Sequence, residues 1–150
     1  MRLATLAAIV IMYAARLAHA CSCVPPRPAK VELERADAVF HGTVVSIEPV
    51  ESAGAASTSP EGRLAVTFEV ARVWKGDITK KLVVSSISPH VGMCEIDFAV
   101  GEEWVIYGTD KDGKLHTGLC TRSHRTDKKK PSADLKVLGA GKPPKVPAAP

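Results

Sequence analysis

The sequence predicts a mainly β domain: five strands closing, or partly closing, into a small barrel, with one or two short helices. Three observations carry this expectation. Residues 63–74, RLAVTFEVARVW, alternate with a period of two, placing Leu64, Val66, Phe68 and Val70 on one face and Ala65, Thr67, Glu69 and Ala71 on the other. That is the pattern of a half-buried strand. Four further apolar, β-branched runs are separated by Gly, Pro and Asp signals, and only one segment of the same region is patterned as a helix.

Taken in order, PAKVELERAD (28–37) is the helical segment, with Val31, Leu33 and Ala36 available to one face. The first strand is AVFHGTVVSIEPV (38–50), where Gly42 marks a bulge or bend. ESAGAASTSPEG (51–62) is a loop, and RLAVTFEVARVW the second strand. WKGD (74–77) breaks the chain before the third strand, KKLVVSSIS (80–88). EEWVIYGT (102–109) is the fourth and KLHTGLC (114–120) the fifth. Between these two, the Asp112-Gly113 pair suits the positive φ angles of a tight hairpin. An OB-type barrel fits this count, although alternation alone does not separate a barrel from a sandwich.

Both ends of the chain differ from this region. Residues 1–20 have Arg2, an apolar run over 3–15, and AHA before Cys21. These are the parts of a cleaved secretory signal peptide, after which Cys21 is the first mature residue. Acylation of Cys21 as an envelope lipoprotein is the alternative; it would block both the sulfur and the amine. At the other end, residues 125–150 hold 7 basic and 2 acidic side chains, whereas 21–124 hold 11 basic and 14 acidic. The basic, Pro- and Gly-rich stretch 126–150 is expected to be a solvated, disordered tail. Within it, one short helix is expected at 131–138, capped by Ser132 and stopped by Gly139. The remainder, 21–125, is one domain.

The four cysteines, Cys21, Cys23, Cys94 and Cys120, all lie in the exported part, where disulfides persist. They allow three pairings. Joining Cys21 to Cys23 would close a very tight ring, and the two remaining pairings both tie the N-terminus to distant points. A C-x-C pair also suits a thiophilic metal, but there is no C-x-x-C and no histidine at finger spacing, so no intrinsic metal or cofactor is expected. There is no phosphate-cradling Gly loop, no G-x-S-x-G and no H-E-x-x-H, so an enzyme is not expected. The net acidic, exported domain argues against nucleic acid as a partner.

Several of these stretches together resemble the tissue inhibitors of metalloproteinases and the wider netrin-like domains. They are CSCVPP at the mature start, ADAVFHGTVVSIE (36–48), VTFEVARVWKGD (66–77), MCEIDFAVGEEWVIYG (93–108) and LHTGLCTRSH (115–124). The resemblance covers nearly all of 21–125 and implies an OB-like barrel with a pinned N-terminal segment. Carried over by order, it pairs Cys21 with Cys94 and Cys23 with Cys120. The animal inhibitors carry a third bridge in this domain and a second subdomain, and neither is visible here; the chain is similar to a reduced, single-domain bacterial-type member.

The resemblance further implies a secreted, extracellular or periplasmic monomer with no stable membrane insertion after signal cleavage. Its implied partner is a zinc metalloendopeptidase, bound through the catalytic zinc. The Cys21 amine and carbonyl would chelate that zinc while Ser22 enters the adjacent pocket. Cys23, Val24, Met93 and Cys94 would line the contact. The alternative is a non-inhibitory netrin-like module that binds another protein or a surface.

Overall fold

The computed structural model describes residues 23–50, 62–89, 95–127, 129–130 and 132–146. The signal region, Cys21, Ser22, Met93 and Cys94 lie outside these described residues. Six strands form one sheet: β1 (Ala38–Pro49), β2 (Arg63–Lys75), β3 (Lys81–Ile87), β4 (Glu103–Lys111), β5 (Lys114–His116) and β6 (His124–Thr126). Their order is β1-β2-β3-β5-β4-β6, and β1 also pairs with β4. The first five strands therefore close on themselves, as expected of the barrel. All pairings are antiparallel except β3–β5, where Val84 meets Leu115 and Ser85 meets His116.

Closure depends on β1, which has to serve two neighbours. Its first half pairs with β4 from Ala38 to Thr43, while from Val39 to Pro49 it runs along β2. Three register shifts, after Val39, His41 and Val44, coil it between them. Gly42 follows the second shift. A Cβ there would lie 2.8 Å from the Glu69 carbonyl oxygen, so the close approach of β2 excludes a side chain. The β4–β5 hairpin turns through Asp112 and Gly113, both at positive φ (55° and 73°), the twist that suits a two-residue hairpin.

The barrel interior holds Phe40, Val44, Val66, Phe68, Val84 and Ile106, all fully buried. An aromatic string runs through it: Phe40–Phe68 at 5.4 Å, Phe68–Phe98 at 5.8 Å and Phe98–Trp104 at 4.7 Å between ring centres. The first two contacts are edge-on, a favoured geometry for such pairs. A second cluster lies on the outside of the same strands, where Ala36, Val39, Val105 and Tyr107 meet Leu33, Trp74, Leu135 and Leu138. This explains why WVIY in β4 is continuously apolar: the strand is covered on both faces.

The outer cover is two helices, α1 (Ala29–Arg35) and α2 (Ala133–Leu138). α1 is shorter than its sequence pattern, because Ala36 is already extended and leads into β1. α2 has the expected cap, with the Leu135 amide donating to Ser132 Oγ, and the chain leaves it at Gly139 with φ 76°. The tail departs from its expected solvated, disordered state through residue 146. Val73 and Lys142 exchange backbone hydrogen bonds of 2.8 Å, and the Lys145 amide donates to the Ile78 carbonyl. Lys145 Nζ also reaches Asp77 at 2.6 Å. The physical reason is that main-chain groups of Val73, near the end of β2, and of Ile78, just beyond it, take their hydrogen bonds from a Gly-rich strap, which needs no apolar face to do this.

Two further differences concern the chain after β5. The fifth strand ends at His116, not Cys120, and the polar tripeptide His124–Thr126 adds β6 against β4. Among the described residues, no helix is long and apolar enough to cross a membrane.

Candidate functional site

The chain before α1 is extended, outside any sheet, and exposed from residue 24 to residue 28. Its composition, CVPPRP, accounts for this. Pro25, Pro26 and Pro28 have no N–H to offer a strand ladder and fix φ, so the segment is stiff but cannot be knitted into the barrel. Val24 is 85% exposed. Cys23 is bonded to Cys120, 97 residues later, and Ala29 is buried where α1 begins. An exposed, proline-stiffened edge is thus held at both ends.

The loop bearing Cys120 is itself ordered by hydroxyl groups. Thr117 Oγ1 lies 2.7 Å from Ser123 Oγ and 3.1 Å from Thr121 Oγ1. Thr121 Oγ1 donates to the Gly118 carbonyl at 2.8 Å, and the Tyr107 amide on β4 donates to Ser123 Oγ at 2.9 Å. The loop is fastened to β4 on one side. On the other, Gly118 faces Glu95, whose Oε2 would lie 3.8 Å from a Cβ at that position. Glu95, Thr117, Gly118 and Thr121 line a cavity of about 420 Å³ that also holds the buried Ser86 hydroxyl, which has no hydrogen-bond partner among the described residues. Burial in this place pushes the Glu95 carboxyl up.

A third fastening lies between the two ends of the edge. Arg122 NH1 donates to the Arg27 carbonyl at 2.6 Å. The same guanidinium grips Asp134 of α2 with both remaining nitrogens, Nε to Oδ2 and NH2 to Oδ1, each at 2.6 Å. The Tyr107 hydroxyl donates to Asp134 Oδ2 at 2.8 Å, and His124 Nδ1 stands 4.0 Å from that oxygen. Burial alone would raise the Asp134 pKa. The hydrogen bonds from Arg122 and Tyr107 outweigh it, so the carboxyl is held below its ordinary value and is a full anion at neutral pH. Burial, followed by the neighbouring carboxylate, pushes the Tyr107 phenol well above its usual range, so it remains a donor.

Of the site residues expected from the sequence, Cys23 and Val24 stand together on this edge, and Cys21, Ser22, Met93 and Cys94 lie outside the described residues. Sequence reasoning missed Arg122, Tyr107 and Asp134. The one signal for them was an acid inside the short amphipathic helix of an otherwise basic tail. Among the described residues, no three His, Cys, Asp or Glu side chains cluster as a metal site.

A family model described as tissue inhibitor of metalloproteinase matches residues 19–128. Metalloproteinase inhibitor 2 of Gallus gallus is 30% identical over 115 residues, which is 75% of this chain and 52% of the relative. The chain therefore spans about half the length of this curated relative. The matched stretch begins just before the C-x-C pair and takes in the whole barrel with the loop that anchors it, and on that extent the chain belongs to the tissue inhibitor of metalloproteinase family.

Proposed function

We propose that the chain is an exported inhibitor of zinc metalloendopeptidases that acts through its N-terminal edge. After signal cleavage, the α-amino nitrogen and carbonyl oxygen of Cys21 occupy the open coordination position of the protease zinc and displace the water it activates. The amine has an ordinary pKa of about 7.7–8.0, so the nearby cation has only to favour its neutral form modestly. No thiolate is required, which leaves the Cys21 sulfur for a bond to Cys94. Ser22 enters the pocket beside the zinc, and Val24, Met93 and the two disulfides flank it.

The observation that carries this reading is the edge itself: an exposed segment immediately after Cys21 and Ser22, stiffened by prolines and bonded through Cys23 to Cys120. A preordered edge loses little freedom when it enters a cleft, and that is where a small inhibitor gains affinity. Membership of the family supports the reading, as does the return of the chain at Glu95, the residue after Cys94, beside the loop that carries Cys120.

The test compares correctly processed, oxidised protein with a form carrying one additional alanine ahead of Cys21, against a panel of zinc endopeptidases. The processed form inhibits. The extended form folds with the same melting temperature and loses inhibition, because the chelating amine has moved. Equal inhibition by both forms rules out zinc chelation by Cys21, and no inhibition by either leaves the netrin-like binding module as the better account.

A further inference from the structure

The family match ends at residue 128, yet one of the fastenings of the edge, the Arg122–Arg27 hydrogen bond, is supported from beyond that stretch. Asp134 is carried by α2 in the basic tail, and it is 4% exposed. We propose that Asp134 is a positioning residue for the N-terminal edge, acting through Arg122: the tail helix aims the guanidinium that holds the Arg27 carbonyl. The consequence for inhibition rests on the proposed function; the ordering of the edge does not.

Between Cys23 and Pro28 only Cys23, Val24 and Arg27 have a backbone N–H, so a partner must mainly address carbonyl oxygens and must be a donor. Arg122 is that donor, but a long side chain with four rotatable bonds has no preferred direction by itself. A guanidinium is planar with its donors in a fixed fork, so a carboxylate that takes two of them fixes the plane and thereby the direction of the third nitrogen. Asp134 does this at 2.6 Å on both oxygens, leaving NH1 on the Arg27 carbonyl.

Asp134 is in turn held. Tyr107 Oη donates to it from β4, and α2 is capped by Ser132 and packs Leu135 and Leu138 on the outer cluster. The chain of support therefore runs from β4 and α2 to Asp134, to Arg122, to the edge. With the disulfide at Cys23 and this hydrogen bond at Arg27, stiff residues between two fixed points have a single direction. With Asp134 uncharged, the guanidinium loses its aim at the Arg27 carbonyl, and among the described residues the disulfide and the start of α1 are left to hold the segment, which gains motion between them.

The experiment uses the full processed chain and four forms: wild type, Asp134→Asn, Arg122→Lys and Val84→Ala. Asparagine keeps the shape at 134 but removes the charge and one acceptor, and lysine keeps the charge at 122 but not the fork. Val84→Ala lowers the melting temperature from the barrel interior, away from the edge. Inhibition constants are measured against one zinc endopeptidase, together with melting temperatures and ¹⁵N relaxation at Val24 and Arg27.

Asp134→Asn and Arg122→Lys are expected to weaken inhibition about tenfold, as ordering of a binding edge is lost, with increased fast motion at Val24 and Arg27. Val84→Ala changes neither. Unchanged motion at Val24 and Arg27 in Asp134→Asn overturns the inference, as does an inhibition constant within about twofold of wild type, or an equal weakening by Val84→Ala. If the wild type inhibits nothing, the inhibitor reading fails on its own, and the relaxation measurement still decides whether Asp134 positions the edge.

Discussion

Removal of the Cys23–Cys120 bond by a double alanine substitution should leave a folded barrel of sharply lower stability. The bond joins residues 97 apart. In the chain-entropy description, releasing such a loop in the unfolded state costs about 4.7 kcal/mol of folding stability at 25 °C. Were Cys21 also joined to Cys94, as the family implies, the path still open would run only from 94 to 120 with two residues at the start. The cost then falls to about 3.6 kcal/mol. For a domain of this size, either figure lowers the melting temperature by about 10–25 °C.

The native state itself loses little in this substitution, because the Arg27 carbonyl remains on Arg122 and Ala29 remains buried. Circular dichroism at 25 °C should therefore be unchanged while thermal unfolding moves down. If the edge inhibits as proposed, inhibition should fall further than the fraction of folded protein does, since the edge has lost its first fixed point. A fall in melting temperature below about 5 °C would refute the reasoning, because it would mean that the unfolded chain was hardly restrained by the bond.

Two other expectations concern the barrel. Gly42→Ala should cost about 1–3 kcal/mol by chemical denaturation, because the new Cβ meets the Glu69 carbonyl at 2.8 Å and the Val70 Cα at 3.3 Å, both backbone atoms of the paired strand; a loss below about 0.5 kcal/mol would show that the bulge opens freely. His41 is held below its ordinary pKa, chiefly by burial, with Arg72 and His124 adding to this and Glu103 opposing it. Since the fold prefers the neutral ring, its contribution is present above about pH 6.5 and is lost as pH falls through the lower folded value. His41→Gln should flatten the stability profile over that window, and an unchanged profile would place the titration elsewhere.

How much was legible follows from what each element buries. Strands β1 to β4 were visible because each sets branched or aromatic side chains on the interior at a spacing of two, as Leu64, Val66, Phe68 and Val70 do. The hairpin was visible because Asp112 and Gly113 adopt angles few other pairs tolerate. β6 was not, because His124, Arg125 and Thr126 carry no apolar pattern and join by backbone alone. The docking of residues 142–145 was hidden for the same reason: apart from the exposed Lys145–Asp77 ion pair, its partners are main-chain groups of Val73 and Ile78, which have no letter in a sequence. At the site, the spacing of four cysteines left two pairings open, and only the likeness to a family chose Cys23 with Cys120. Arg122 and Asp134 were not read as a pair because a charged side chain reads as solvated until the fold brings a partner to it.

An N-terminal edge acting as proposed has to satisfy two opposed demands, and the way they are met would explain where its support is placed. An edge that enters another protein's cleft must be exposed, so it cannot be ordered by burying its own side chains. A segment rich in proline cannot be ordered by a strand ladder either. Its rigidity therefore has to be brought from elsewhere by connections that leave its outer side bare: one sulfur–sulfur bond, one hydrogen bond to a carbonyl, and the first buried residue of α1. Tyr107 is where this arrangement meets the apolar core, since its ring is buried in the outer cluster while its hydroxyl holds Asp134. On the proposal, packing between β4 and the two helices becomes, through one phenol, one carboxylate and one guanidinium, a constraint on the direction of exposed residues. On this proposal the outer cluster serves the edge as much as the barrel, and a sequence that kept the barrel but lost the tail helix would keep the fold and lose the aim.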